Sequence, residues 1–147
     1  MKVVIQKVLK SKCLIDNKEY SSINNGLMVL VGFTEGDTST DIDYIVKKIV
    51  NLRIFDDENG VMNKSVLDVD GEILSISQFT LYADTRKGNR PSYMNALKGE
   101  LSTVLYDEFN KKLNDLVKTK TGIFGENMKI ELINNGPTTI IIDSKDK

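Results

Sequence analysis

The chain contains no histidine. That absence removes serine–histidine and cysteine–histidine catalysis and the commonest ligand of catalytic zinc, so any hydrolytic chemistry has to find its base elsewhere. The single cysteine, Cys13, excludes an internal disulfide, and its apolar setting reads as a small packed hydrophobe, not a nucleophile. No apolar run approaches the ~20 residues that a membrane helix needs. Met1-Lys2-Val3-Val4-Ile5-Gln6-Lys7-Val8 reads as a strand and not as a secretory leader, so cytoplasmic residence and no membrane partner are expected. An excess of positive charge is missing too: the net charge is −1 and the pI about 5.5, which leaves only local patches to attract nucleic acid. The acidic clusters do not make calcium loops. Counting back from Gly60 or Gly71 as the sixth loop position puts Phe55 or Val66 where a carboxylate is required. No metal and no cofactor is expected.

What is present suits one domain. A chain of 147 residues can bury roughly two-thirds of its unfolded surface, and 40% hydrophobic with 28% charged residues is ordinary for a globular protein. Residues 1–143 read as that domain and Ser144-Lys145-Asp146-Lys147 as a frayed polar tail. Strands are expected over Lys2–Lys7 and Lys12–Ile15, with a turn through Asp16-Asn17-Lys18, and over Leu27–Phe33 after an Asn24-Asn25-Gly26 turn. Leu27-Met28-Val29-Leu30-Val31 is apolar on both faces, as in the middle of a covered sheet. A helix opens near Thr38, with Asp41 completing an approximate capping box, and Ile42, Ile45, Val46, Ile49 and Val50 form its apolar face. Leu52–Phe55 resumes a strand, turned at Asn59-Gly60. A second helix carries the stripe Leu101, Val104, Leu105, Phe109, Leu113 and Leu116, and strands over Met128–Ile133 and Thr139–Ile142 flank a turn at Asn134-Asn135-Gly136-Pro137. This order is not a regular βαβ alternation. It predicts an α+β domain, a mostly antiparallel or mixed sheet able to curl into a barrel, with two long helices packed on it.

The stretch Leu74 to Asp84 is the candidate for chemistry. Leu74, Ile76, Phe79 and Leu81 favour a strand, whereas Ser75, Ser77, Gln78 and Thr80 supply polar groups that a core strand does not need. From composition alone, an edge strand with one polar face is the preferred reading. The wording of the segment adds more. Ser77-Gln78-Phe79-Thr80-Leu81, then Ala83-Asp84-Thr85-Arg86-Lys87-Gly88 and Arg90-Pro91-Ser92, resembles the signature of the D-aminoacyl-tRNA deacylases. Asn135-Gly136-Pro137-Thr138 resembles that family's Gly-cisPro motif, and Thr121-Gly122-Ile123-Phe124-Gly125 with Met128 its third shared segment; the likeness runs from Met1 to about Asp143.

The resemblance implies hydrolysis of the ester of D-aminoacyl-tRNA by a homodimer whose active sites lie at the subunit interface. It implies catalysis within Ser77, Gln78, Phe79 and Thr80, with main-chain N–H groups around Phe79 and Thr80 facing the oxyanion and the 2′-hydroxyl of the terminal adenosine assisting. Such a scheme suits a chain without histidine. The Thr80 hydroxyl could be a nucleophile, a water-orienting group or a strand-end hydrogen-bonder, and the positioning roles are preferred because no residue is an obvious base to activate it. Gly136 and Pro137 of one subunit, flanked by Asn135 and Thr138, are implied to wall the other subunit's pocket against L side chains; exclusion of that kind admits many D-aminoacyl groups and also glycine. Phe124, Gly125 and Met128 are implied to hold the adenosine end. Arg86, Lys87 and Arg90 are the local cations for tRNA, although a solvated surface would account for them too. Three positions depart from the family pattern: Glu126 and Asn127 follow Phe-Gly where a small residue is common, Thr138 replaces a valine, and Asn135 an aspartate. The alternative reading is a non-catalytic nucleic-acid-binding module like the DNA-unwinding-element-binding relatives, which tend to carry extra C-terminal sequence. A purely structural sheet domain leaves both polar signatures unexplained.

Overall fold

The computed structural model describes residues 1–146. β1 (Lys2–Ile15) is one long strand, where the sequence suggested two. Asp16 and Asn17, both at positive φ, turn it into β2 (Lys18–Ile23), and β3 (Gly26–Gly32) returns along the first half of β1. β1 stays unbroken through Val8-Leu9-Lys10-Ser11 because one edge serves β3 from Lys2 to Val8 and then β2 from Ser11 to Ile15, so both of its halves have a partner.

Helix α1 (Ser39–Asn51) follows, with Ile42, Ile45, Val46, Ile49 and Val50 all buried as their spacing predicts. At its start the Thr38 N–H donates to the Asp41 carboxylate at 3.0 Å, the reciprocal half of a capping box. The strand expected over Leu52–Phe55 shrinks to β4 (Phe55–Asp56), paired with β5 (Met62–Lys64) in a small hairpin. β6 (Glu72–Ser77) runs parallel to β3, and β7 (Thr119–Thr121) runs parallel to β6. β6 is therefore interior to the sheet, and an edge strand is excluded.

Helix α2 (Glu100–Asn114) buries Ser102, Tyr106, Phe109 and Leu113. The stripe read from sequence was turned too far: Leu101 and Val104 are exposed, because Tyr106, Phe109 and Leu113 at i, i+3 and i+7 bury more ring and branched surface than the competing face. Leu116, placed in the same stripe, lies past the helix and is exposed as well.

The second large departure is β8 (Met128–Asp143), which pairs antiparallel with β1 along its whole length. Asn134 to Pro137 do not reverse the chain. Residues 135–138 swell out as a bulge, since Gln6 pairs with Thr139 and Val8 already with Asn134. Asn134 closes the bulge by donating from Nδ2 to the carbonyls of Lys7, at 3.0 Å, and Thr138, at 3.1 Å.

The sheet is mixed and bends back on itself: the Ser21 hydroxyl of β2 donates to the Thr121 carbonyl of β7 at 2.7 Å, drawing opposite edges together. One core lies between sheet and helices, around Ile5, Leu27, Ile45, Ile73, Phe109 and Leu113. A second fills the opposite face, around Val8, Cys13, Met28, Leu74 and Ile76. Cys13 is fully buried there and burial raises its thiol pKa, in keeping with packing in place of reactivity.

The residues expected to fray are partly packed. Ser144 is buried and accepts from the Met1 ammonium at 2.7 Å, while Lys145 bridges Asp37 and Asp41 at 3.1 and 3.2 Å. Burial alone would raise the Asp41 pKa, but hydrogen bonds from Ser144, Thr38 and Lys145 outweigh it and hold the carboxyl well below its usual range. Lys147, the end of the expected tail, lies outside the described residues. Among the described residues, no helix is long and apolar enough to cross a membrane.

Candidate active site

The parallel strands β3 and β6 end side by side, Val31 opposite Ser77. Beyond Ser77 the main chain leaves the sheet. The Gln78 N–H makes a last ladder bond to the Val31 carbonyl at 2.7 Å, and residues Phe79–Tyr82 wind into a 3-10 turn where the sequence suggested continued strand. The alternation of Leu74, Ile76, Phe79 and Leu81 already slips between Ile76 and Phe79, and that slip was the readable sign of the turn.

The turn has two consequences. Its first N–H groups, those of Phe79 and Thr80, have no acceptor among the described residues. It also folds Thr80 back on Gln78, whose Nε2 donates to the Thr80 hydroxyl. This close return depends on Gly32 at the end of β3, where an added Cβ would meet the Gln78 carbonyl at 2.8 Å.

Opposite the turn stands the segment between β7 and β8. Gly125 adopts φ +83°, and the half-buried Phe124 packs its ring on Tyr106 of α2, centroids 5.8 Å apart. Tyr106 ties both walls to one place: its hydroxyl donates to the Ser75 carbonyl at 2.9 Å, and the Gly122 N–H donates to that same carbonyl at 3.2 Å. Burial pushes the Tyr106 hydroxyl pKa upward, so it remains a neutral donor.

The two walls enclose a cavity of about 290 Å³, lined by Ser77, Gln78 and Phe79 on one side and by Phe124, Gly125 and Met128 on the other. Segments picked out separately in the sequence thus share one space. Thr80 does not line it and meets it only through Gln78. Sequence reasoning missed Ser102, which reaches the cavity from the first turn of α2, and Ile130 of β8. Ser102 stands one helical turn before Tyr106, and the correct α2 register would have found it. Glu126 and Asn127 lie at the rim, exposed. The 370 Å³ hollow beside Lys10, Glu19 and Glu131 contains none of the motif residues, whereas a recess of about 300 Å³ is lined by Leu81, Ala83, Asp84, Thr85 and Arg86 from the later part of the first motif and by none of the second or third.

Two sets of predicted residues lie outside the cavity. Arg86, Lys87 and Arg90 occupy an exposed loop, with the Arg86 guanidinium held on Asp84 at 2.6 Å. That ion pair keeps the Asp84 pKa down at about 2. Gly136 and Pro137 crown the β8 bulge, joined by a cis peptide with Gly136 at φ +122°. Both are exposed, and with Asn135 and Thr138 they are absent from the lining of the cavity in their own chain.

Comparison with known proteins fits this arrangement. The sequence matches the D-Tyr-tRNA(Tyr) deacylase family over residues 4–143. It is 57% identical to a D-aminoacyl-tRNA deacylase of Bacteroides fragilis (strain YCH46), covering 100% of this chain and 99% of that one. Its fold matches a c-Myc DNA unwinding element binding protein with TM-score 0.92 and 37% identity, over 97% of this chain and 98% of that one. It also matches the structure of a probable eukaryotic D-amino acid tRNA deacylase with TM-score 0.81 over 96% and 97% of the two chains, at 18% identity, a likeness of fold alone. With its motif segments gathered around one cavity and the match spanning nearly the whole sequence, the chain belongs to the D-Tyr-tRNA(Tyr) deacylase family.

Proposed function

We propose that the chain hydrolyses the ester linking a D-amino acid to the 3′ end of tRNA, releasing free D-amino acid and tRNA in the cytoplasm, and that glycine mischarged on tRNA is a further substrate. The observation that carries this reading is the convergence of Ser77-Gln78-Phe79 with Phe124-Gly125-Met128 around one cavity. An ester is an easier target than an amide, so positioning and charge stabilisation can suffice without a strong base. The substrate carbonyl lies at the 3-10 turn, where the free N–H groups of Phe79 and Thr80 receive the developing oxyanion. Water adds to the carbonyl carbon, assisted by the ribose 2′-hydroxyl. The bond to the ribose oxygen then breaks, and that oxygen leaves with a proton. Thr80 acts as a positioning residue that fixes the Gln78 amide, a role supported by their hydrogen bond and by the absence of Thr80 from the cavity lining. The adenosine rests against Phe124, Gly125 and Met128, and Arg86, Lys87 and Arg90 meet the tRNA backbone.

Chirality is read by a wall. Gly136 and Pro137, shaped by Asn135 and Thr138, enter the cavity of the partner subunit in a homodimer, hold the substrate's α-amino group with their carbonyls and leave no space for an L side chain. Their exposure on a bulge away from their own cavity supports a role in trans. The alternative, nucleic-acid binding without turnover, draws on the 37% identical DNA unwinding element binding protein. Single-turnover deacylation of matched D-tyrosyl- and L-tyrosyl-tRNA separates the two readings. Fast loss of the D ester alone is expected, and no turnover of either ester by the folded protein would favour the binding module.

A further inference from the structure

Phe79 and Tyr93 come from the two ends of the loop that follows β6, and their rings meet edge to face with centroids 5.1 Å apart and planes at 76°. The loop between them is pinned at its base: the Asp84 N–H donates to the Ser92 carbonyl at 2.8 Å and the Ser92 N–H returns to the Asp84 carbonyl at 2.9 Å. Tyr93 is the next residue. Its ring is thus fixed by a closed bridge on one side and by Phe79 on the other, yet the pair is not buried, Phe79 being 54% and Tyr93 37% exposed. Apolar rings held rigid and left in water at the rim of a cavity mark a surface that a ligand covers.

The charge on the same loop says which ligand. Arg86 is occupied by Asp84, whereas Lys87 and Arg90 are exposed and have no ion pair among the described residues. From the tip of the loop to its base, the order is therefore two free cations within the Asp84–Ser92 bridge, an aromatic pair at the loop's ends, then a pocket that Phe79 itself lines. Phosphates spaced along a flexible strand and flat bases between them match that order, because stacking on an aromatic ring accepts any base while cations take the backbone. A protein segment would satisfy the rings but not explain free cations on the loop that joins them.

We propose that Tyr93 is the stacking platform for the unpaired nucleotide that precedes the terminal adenosine of the RNA substrate, with Lys87 and Arg90 on its phosphates. This rests on the reading of the substrate as aminoacyl-tRNA, whose 3′ end is single-stranded. Tyr93 acts on binding and not on the reacting atoms.

The test is fluorescence anisotropy with a labelled single-stranded RNA tetranucleotide ending in CCA, compared with adenosine monophosphate as competitor. Tyr93→Leu is expected to weaken the tetranucleotide about tenfold, within the range for one stacked base, and to leave the mononucleotide unchanged; Tyr93→Phe keeps both. Lys87→Gln with Arg90→Gln should lower the slope of affinity against salt. In single-turnover assays Tyr93→Leu raises half-saturation for the tRNA ester by the same factor, leaves the rate at saturation alone, and does not affect an aminoacyl-adenosine ester. Unchanged tetranucleotide affinity in Tyr93→Leu, equal losses for both ligands, or no RNA binding by the parent protein would each overturn the proposal. RNA binding lost in Tyr93→Leu by a parent protein that never cleaves the ester would keep it and reject the deacylase reading instead.

Discussion

Thr80 and Asp84 lie four residues apart, and each is defined by the partner its side chain holds. The Thr80 hydroxyl accepts from the Gln78 amide, and Thr80 is not among the residues that line the cavity. Thr80→Ser keeps that acceptor and should deacylate the D ester within about threefold of the parent, whereas Thr80→Val should slow the single-turnover rate by roughly 10- to 100-fold, the cost of a misplaced group. Accumulation of a covalent acyl-threonine in the parent would reverse the assignment. Asp84 is governed by Arg86, whose guanidinium lowers its pKa to about 2 from an ordinary 3.8. A depressed carboxyl contributes stability above its unfolded pKa and loses it as pH falls through the folded one. Amide signals of the loop should therefore stay constant from neutral pH down to about 4 and change between about 4 and 2. Arg86→Gln should move that change upward in an NMR titration of the carboxyl. The motif residues themselves were legible in the sequence because they are polar where a strand core would be apolar. The Gln78–Thr80 bond was not, because a strand would point those side chains to one face without bending the backbone between them.

Elements place these residues, and here the reading of the sequence was uneven for physical reasons. Helix α1 was legible to its cap because its apolar spacing had no competitor. Helix α2 was misread by part of a turn because it offers two overlapping stripes, and only the tertiary setting of Tyr106 on the Ser75 carbonyl and Phe124 decides between them. The Asn135-Gly136-Pro137 sequence carries every local mark of a reversal, yet β8 continues, since β1 presents a free edge long enough to pair on both sides of the bulge. The end of β3 shows how an element sets the site. Gly32 is there because the 3-10 turn passes over it, and Gly32→Ala would push a Cβ against the Gln78 carbonyl. Backbone cannot yield as a side-chain tip does, so the variant should lose about 1–3 kcal/mol of stability by denaturant melting. Its deacylation rate should fall further than that stability loss explains, because the Phe79 and Thr80 N–H groups move with the turn. A destabilised variant with an unchanged rate would separate the turn from the chemistry.

At the scale of the whole molecule, the proposed function requires two subunits at each site. β8 pairs with β1 along one edge only, among the described residues, and displays Ile141 at 71% exposure. A long edge strand of this kind is an association surface. The bulge proposed as the chirality wall lies in the middle of that strand, whereas the cavity takes only Met128 and Ile130 from the start of it. In the proposed two-fold dimer each contact is repeated, which gives two sites, each with the 3-10 turn of one subunit and the bulge of the other. Gly136→Ala should damage the bulge, because φ +122° suits only glycine and an added Cβ would meet the Thr138 nitrogen at 2.6 Å. Thr80→Val and Gly136→Ala homodimers should each be slow on the D ester. A heterodimer of the two, purified through different tags on each subunit, then carries one site with both changes and one with neither, and should work at about half the parent rate. Were each site built within one subunit, both sites of the heterodimer would carry a single change and its rate would stay with the slow parents, which would place the wall in cis and reject the shared site.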